Sequence, residues 1–412
     1  MFNFATTRNL KAALTATLLM AFALSSFAAT VSTRHESRNN HKVKESPSTE
    51  KRMAAARHSH PVATRAGKTA ATRSPVIAGK RGKRKTRYYE RFTASSFMSD
   101  PAMGDITTGE DPIVREAAIN ALGSMNGTVV AIDPSNGRIL AMVNQKLALS
   151  SGAQPCSTIK VSVALAALSE GIVTKDTPVN LGGWHMDMNQ ALAHSNNQYF
   201  EALGRRLGFQ KVSSYAHQFG LGELAGWNIA GEHLGTYPTE EIPASEGGVG
   251  KMCSFGEGVS MTPLQLGALM ASIANGGTLY YLQHPTSAQE VTSFQPKVKR
   301  YLDIAPIIPQ VSVGMLGATQ FGTARSLRTN FTSEQVLGKT GTCSAAGTRF
   351  GWFGSFANSQ YGRIVTVIFL RGDHAVYGPK AAELAGRFYR NLDDRHYFAG
   401  RAAPVRTAAL QQ

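Results

Sequence analysis

The chain has 412 residues and a formal net charge of +16 at pH 7, and that charge is unevenly distributed. Residues 31–92 carry 17 Lys and Arg against 4 Asp and Glu, whereas residues 93–412 carry 24 basic and 23 acidic side chains. The high isoelectric point therefore belongs to an N-terminal segment and not to the globular part. The three cysteines cannot all pair internally, and neither they nor the eleven histidines follow a metal-ligand spacing. We therefore expect no metal site and no cofactor.

Residues 1–30 have the pattern of an export signal. Arg8 and Lys11 precede an apolar run, and Ser26-Phe27-Ala28 places small residues at the two positions that a signal peptidase reads. We expect an exported protein, in the periplasm or on the outer face of the cytoplasmic membrane. The segment is also about long enough to remain as an anchor.

Residues 31–92 are rich in Ser, Ala, Thr, Pro, Lys and Arg, and this composition predicts a disordered basic linker. The densest positive cluster lies at 80–87. Contact with anionic lipid headgroups at the membrane surface, contact with an acidic wall polymer, and a plain solvated spacer all remain open. The export signal argues against nucleic acid as the partner.

The folded part begins with a helix and a hairpin, and continues through a helical middle. Asn136-Gly137 marks the turn of the hairpin. The predicted helices and strands, in chain order, are a helix over 112–123, strands over 127–133 and 138–143, a helix over 157–170, two short helices within 188–204, and helices over 212–220, 262–274 and within 307–327.

The end of the chain returns to strands over 336–343, 350–356 and 364–370, followed by a helix over 380–391. Strands at both ends of a helical middle imply one sheet assembled from distant parts of the chain. The predicted fold class is therefore α+β, with one domain over 112–395 and a disordered tail over 396–412.

Ser157 and Lys160 stand three residues apart at the start of a predicted helix, so both side chains project from one face of its first turn. A serine hydroxyl is a weak nucleophile until a base takes its proton. A lysine amine in a desolvated site can act as that base, because burial lowers its pKa. Taken alone, this spacing also fits a helix cap followed by a solvated lysine.

Two further polar motifs follow in order. Ser195-Asn196-Asn197 lies in a predicted turn between helices, and Lys339-Thr340-Gly341 lies on a predicted strand. Together with Ser157-x-x-Lys160, they resemble the signature of penicillin-binding proteins and active-site serine β-lactamases. The segments 254–265, 338–342 and 352–356 are similar to further motifs of transpeptidase domains, and the resemblance covers about 112–395. It implies a transpeptidase-like fold with an antiparallel sheet packed against a helical subdomain.

The resemblance also implies roles for individual residues. Ser157 is the expected nucleophile, Lys160 its base, and Ser195 a proton relay to the leaving amine. The backbone N–H groups of Ser157 and Thr342 are the expected oxyanion hole. The expected substrate-binding residues are Asn197, Lys339, Thr340, Gly341 and Thr342.

The implied function is a D,D-transpeptidase or D,D-carboxypeptidase that acts on D-Ala-D-Ala stem peptides of peptidoglycan, with β-lactams as covalent inhibitors. A serine β-lactamase is an alternative, although no E-x-x-L-N segment stands between the second and third motifs. A β-lactam-binding sensor or a non-catalytic module is a further alternative. The intact motifs argue against a module without catalytic activity.

Two of the cysteines flank the motifs, since Cys156 precedes Ser157 and Cys343 follows Thr342. Family members more often carry glycine at the position of Cys156. These two cysteines could form a disulfide or remain buried free thiols, and we expect free thiols.

Overall fold

The structure is a computed structural model that describes residues 90–359 and 362–399. The predicted export signal, the predicted linker up to residue 89 and the end of the predicted tail (400–412) lie outside the described residues. The helices are α1 Pro112–Leu122, α2 Gln145–Ala148, α3 Lys160–Ser169, α4 Met188–Ala193, α5 Asn197–Leu207, α6 Phe209–Gln218, α7 Gly248–Phe255, α8 Pro263–Ala274, α9 Ala288–Thr292, α10 Ile308–Gln320 and α11 Gly378–Asp393. The strands are β1 Gly127–Ile132, β2 Ile139–Val143, β3 Val179–Asn180, β4 His185–Met186, β5 Thr278–Tyr280, β6 Val298–Tyr301, β7 Gln335–Ala345, β8 Thr348–Ser359 and β9 Gly362–Gly372.

The central sheet has five antiparallel strands in the order β2-β1-β9-β8-β7. Strand β1 from the start of the domain pairs with β9 from its end, with Val130 opposite Val367. The prediction of an α+β fold with one sheet assembled from both ends of the chain is therefore confirmed. Strand β7, which carries the Lys339 motif, forms one edge of this sheet.

Both faces of the sheet are covered, which explains why every residue of β1 is buried. Because side chains alternate between the faces of a strand, Val129 joins the core around α1 and α11, whereas Val130 joins the core around α3 and α8. Helix α8 lies close to the face of the sheet that carries Val130. A Cβ on Gly267 would come within 2.4 Å of Ile132 Cδ1, so a larger residue at this contact would require the Ile132 side chain to move.

Helix α8 begins as its sequence predicts. Thr262 accepts from Gln265 N and Gln265 Oε1 accepts from Thr262 N, which forms a capping box, and Pro263 takes the first helical position. The predicted helix over 157–170 differs at its start, because Cys156–Ile159 forms a 3-10 turn and the α-helix begins at Lys160. Helix α7, over Gly248–Phe255, is absent from the prediction, since its glycines weaken the helical signal.

The packed residues extend beyond the predicted limits of 112 and 395. Ser96 is fully buried and donates to Asp373 Oδ1 over 2.6 Å. Arg115 binds Asp105 at 2.7 Å and Glu110 at 3.1 Å, which ties the segment before α1 to the domain. At the other end, the rings at 397 and 398 are buried. Within the described residues, the helices are all too short or too polar to cross a bilayer.

Candidate active site

The first motif forms a compact pair at the junction between the 3-10 turn and α3. Lys160 Nζ donates to Ser157 Oγ over 2.7 Å, as expected for residues on one face of a helical turn. Two further acceptors hold the lysine: Asn197 Oδ1 at 2.8 Å and the backbone carbonyl of Ser254 at 2.6 Å. The lysine side chain is therefore fixed on the serine hydroxyl by groups from α5 and α7.

Lys160 is fully buried, and this burial lowers its pKa to about 7, with the negative charge of Glu201 opposing the shift. The rings of Phe200 and Phe255 each lie 5.7 Å from its Nζ. At neutral pH a substantial fraction of the Lys160 side chains is therefore uncharged and able to accept a proton.

The second motif occupies the turn between α4 and α5. Ser195 has a φ of 57°, in the left-handed region, and Asn196 caps α5 by accepting from Tyr199 N over 2.8 Å. The cap starts the helix at Asn197, whose side chain reaches Lys160. The turn thus presents Ser195 and Asn197 to the same site, as the sequence predicts.

The third motif reaches the second one across the site. Lys339 Nζ donates to Ser195 Oγ over 2.8 Å and to the carbonyl of Thr340 over 2.9 Å. Lys339 is fully buried, and its pKa lies well below the ordinary value, first because of this burial and second because of the nearby charge of Lys160. Two buried lysines thus each hold one serine hydroxyl.

The rest of the edge strand is held by its neighbours. Thr340 Oγ1 shares a 2.7 Å hydrogen bond with Thr323 Oγ1, and the Thr342 hydroxyl accepts from Gly378 N over 2.7 Å. A Cβ on Gly341 would come within 2.8 Å of Pro155 O, so glycine is needed there to let β7 approach the loop before Ser157. The structure thus brings all the predicted site residues into one region.

The expectation of free thiols is wrong for Cys156 and Cys343, which form a disulfide with a Cα–Cα distance of 5.6 Å across 187 residues of sequence. The two segments approach because β7 lies against the loop before the nucleophile, a tertiary contact that spacing alone does not reveal. Cys253, in contrast, is a buried free thiol.

Sequence reasoning missed several contacts of the site. Ser254 begins the segment 254–265 that resembles a transpeptidase motif, but the sequence does not indicate that its carbonyl binds Lys160. Thr323 and Gln154 have no signal of their own, because a single polar side chain or a backbone acceptor in a loop is common everywhere. Gln154 O accepts from Trp352 Nε1 over 3.0 Å, which joins the loop before Ser157 to β8.

The comparison with known protein families agrees with the geometry of this site. Residues 127–390 match the family model described as the penicillin binding protein transpeptidase domain. The chain belongs to this family. The match spans β1 to α11, so it includes all three motifs and every strand of the central sheet.

The chain is also similar to curated proteins. The chain is 28% identical over 256 residues to Stage V sporulation protein D of Bacillus subtilis, covering 52% of this chain and 39% of that protein. It is 26% identical over 367 residues to the peptidoglycan D,D-transpeptidase MrdA of Acinetobacter baumannii, covering 69% of this chain and 53% of that protein. The chain thus spans about half or less of the length of these relatives.

Solved structures show the same fold. PBP2 of Pseudomonas aeruginosa aligns with a TM-score of 0.58 at 23% identity, covering 70% of this chain and 75% of that one. The D,D-transpeptidase domain of a peptidoglycan glycosyltransferase from Eggerthella lenta aligns with a TM-score of 0.56 at 19% identity, covering 70% and 82%. Both solved structures therefore share the fold of this chain at low sequence identity.

Proposed function

We propose that this protein is a penicillin-binding serine D,D-transpeptidase that acts on the D-Ala-D-Ala ends of peptidoglycan stem peptides through an acyl-serine intermediate. The observation that carries the proposal is the buried Lys160, whose Nζ lies 2.7 Å from Ser157 Oγ and whose pKa is about 7. A nucleophile with a base at hydrogen-bond distance is the arrangement that acyl transfer requires.

In the first step Ser157 Oγ attacks the carbonyl carbon between the two D-Ala residues. Neutral Lys160 takes the hydroxyl proton as the new C–O bond forms. The C–N bond to the terminal D-Ala then breaks, and Ser195 Oγ relays the proton held by Lys160 to the leaving amine, since a hydroxyl both donates and accepts. The amine of a second stem peptide then attacks the acyl-serine and the ester C–O bond breaks. The proton that this amine loses passes through Lys160 to the Ser157 oxygen and restores the hydroxyl.

Stabilisation of the developing negative charge is assigned to the backbone N–H groups of Ser157 and Thr342. Ser157 lies in the first helical turn, where N–H groups have no intrahelical acceptor. The Thr340 carbonyl faces Lys339 Nζ inside the site, and Thr342, two residues further along β7, lies at the same strand edge. Removal of one such donor typically costs about 3–4 kcal/mol in the transition state.

The remaining motif residues are assigned to substrate binding. Asn197 uses its Oδ1 to hold Lys160, which leaves its amide N–H groups for a substrate carbonyl. The terminal carboxylate of the substrate is assigned to Thr340, Thr342 and Lys339. Its negative charge would raise the depressed pKa of Lys339 and favour the ammonium form when substrate is bound.

The proposal includes the setting of the reaction. The pattern of residues 1–30 supports export to the periplasm or the outer face of the cytoplasmic membrane, and residues 31–92 would place the domain beside that membrane with their positive charge toward anionic lipid. The names of the relatives, which include a peptidoglycan D,D-transpeptidase, support peptidoglycan as the substrate.

One experiment tests the reaction class. The purified chain is incubated with a fluorescent penicillin, and the covalent adduct is followed over time beside a Ser157→Ala variant. A long-lived adduct that is absent from the variant supports the proposal. Rapid release of hydrolysed penicillin would make the protein a serine β-lactamase, and no labelling at all would refute Ser157 as the nucleophile. Release of D-Ala with and without an acceptor amine then separates transpeptidation from carboxypeptidation.

A further inference from the structure

The Cys156–Cys343 disulfide occupies a particular place in the site. Cys156 immediately precedes Ser157, and Cys343 immediately follows Thr342, so the bond joins the residues next to both assigned oxyanion donors. The two donors belong to different elements, a helix start and a sheet edge, 185 residues apart in sequence (342 minus 157). Because the disulfide joins the residues next to the two donors, it limits how far the two N–H groups can move apart.

The backbone of Cys156 is held in an unfavourable conformation. Its φ is 53°, in the left-handed region that favours glycine, and its side chain is fully buried. Such conformations persist where the surroundings fix them, and they concentrate at functional sites. The disulfide ties the side chain of Cys156 to β7, and the peptide bond that follows Cys156 carries the Ser157 N–H group.

Other contacts hold the same loop, and all of them are noncovalent. Trp352 Nε1 donates to Gln154 O over 3.0 Å, and Gly341 of β7 packs against Pro155, Cys156 and Thr158. These contacts leave the loop attached to the sheet when the disulfide is absent. The disulfide adds a covalent link between the residues next to Ser157 and Thr342.

We propose that the Cys156–Cys343 disulfide is a positioning element for acylation, and that the protein reaches full activity only when this pair is oxidised. The inference rests on the proposed function. An oxyanion hole works by preorganisation, and small displacements of its donors reduce the rate of the chemical step more than the binding of the substrate.

Oxidation of the Cys156 and Cys343 thiols needs an electron acceptor. Forming the S–S bond removes two electrons and two protons from the thiols of Cys156 and Cys343. The disulfide of a thiol–disulfide oxidoreductase accepts them and becomes a dithiol. Such oxidants act outside the cytoplasm, which agrees with the proposed export. The active site would thus be completed after translocation.

The test compares the oxidised wild-type chain, the same chain reduced with dithiothreitol, and a Cys156→Gly/Cys343→Ser double variant. Glycine suits the positive φ at residue 156, so the double variant lacks the link without retaining the backbone strain. Cys253→Ser is the matched control, because this buried thiol lies outside the disulfide. Thiol titration in denaturant comes first, and we expect one reactive thiol in the oxidised wild type.

Acylation by a fluorescent penicillin is then separated into the dissociation constant of the initial complex and the rate constant of acylation. We expect reduction and the double variant to lower the rate constant about 10- to 100-fold and to change the dissociation constant less than about threefold. We expect dithiothreitol to have no effect on the double variant. Far-UV circular dichroism shows whether each form is folded.

The outcomes distinguish this inference from the function on which it rests. Equal acylation rate constants in oxidised and reduced wild type would overturn the inference and leave the function intact, as would three titratable thiols in a fully active protein. A loss confined to the dissociation constant would also overturn it, since it would indicate a binding role. An oxidised wild type that penicillin never labels would overturn both.

Discussion

The start of α3, which carries Lys160, and the edge strand β7, which carries Lys339, each place a buried lysine within hydrogen-bond distance of a serine hydroxyl. Lys160 Nζ lies 2.7 Å from Ser157 Oγ, and Lys339 Nζ lies 2.8 Å from Ser195 Oγ. The first pair is three residues apart and is set by one helical turn, whereas the second is 144 residues apart and exists only because the sheet edge meets the α4–α5 turn.

The two lysines also differ in their surroundings. Lys160 has three acceptors, from the serine, an amide and a backbone carbonyl, and its pKa is about 7. Lys339 has the Ser195 hydroxyl and the Thr340 carbonyl, and the neighbouring charge of Lys160 adds to the effect of burial in lowering its pKa. This difference suits Lys160 as a base that cycles near neutral pH. It suits Lys339 as a group that becomes charged when a carboxylate arrives.

The largest expected effect comes from breaking the first pair. Lys160→Met keeps the length of the side chain and removes the base, and we expect acylation by penicillin to slow about 10³-fold, within the range of general-base catalysis. We expect the domain to stay folded, because a methionine side chain of similar length fills the space of the buried lysine. The rate is measured from a time course of adduct formation.

Lys251, an exposed residue of α7, provides the control for that substitution. Lys251→Met is expected to acylate at the wild-type rate. A Lys160→Met variant that also acylates at the wild-type rate would remove Lys160 from the proposed mechanism.

Breaking the second pair is expected to have a smaller effect that depends on the ligand. Lys339→Met should reduce the efficiency of acylation by penicillin about 10- to 100-fold, because a charge-assisted contact to the carboxylate is lost. The methyl ester of the same penicillin lacks that carboxylate. If the variant loses as much efficiency with the ester as with the acid, the assignment of Lys339 to the carboxylate is wrong.

The pH dependence of the acylation rate tests the role of Lys160 as the base. Because Lys160 must be neutral to accept the proton of Ser157, the acylation rate should rise about tenfold per pH unit below a pKa of about 7 and level off above it. Rate constants measured between pH 5 and 9 test this. A profile that falls as pH rises through 7 would show that the charged amine is the active form.

The smallest expected effect comes from Glu201, whose negative charge opposes the lowering of the Lys160 pKa. Glu201→Gln removes that charge, so the pKa of Lys160 falls further and more of the lysine is neutral in mild acid. We expect acylation at pH 6 to become faster by about twofold, with no change at pH 9. Glu290→Gln on α9 serves as the control, and a slower rate at pH 6 in Glu201→Gln would contradict the prediction.

The sequence by itself determined the elements and the order of the motifs. Periodicity and turn residues placed the hairpin at Asn136-Gly137, the capped start of α8 at Thr262 and the long strands of the sheet. The spacing of Ser157 and Lys160 implied their contact, because a helix turn has fixed geometry. These features depend on residues near one another in the chain.

The tertiary structure alone decided the features that depend on distant segments meeting. These are the disulfide between Cys156 and Cys343, the Ser254 carbonyl that holds Lys160, and the burial that lowers the lysine pKa values. Local patterns carry no information on them, since a cysteine or a carbonyl acquires its partner only when strands and helices pack. The sequence therefore identified which residues could carry the chemistry, and packing determined the distances and the desolvation on which that chemistry depends.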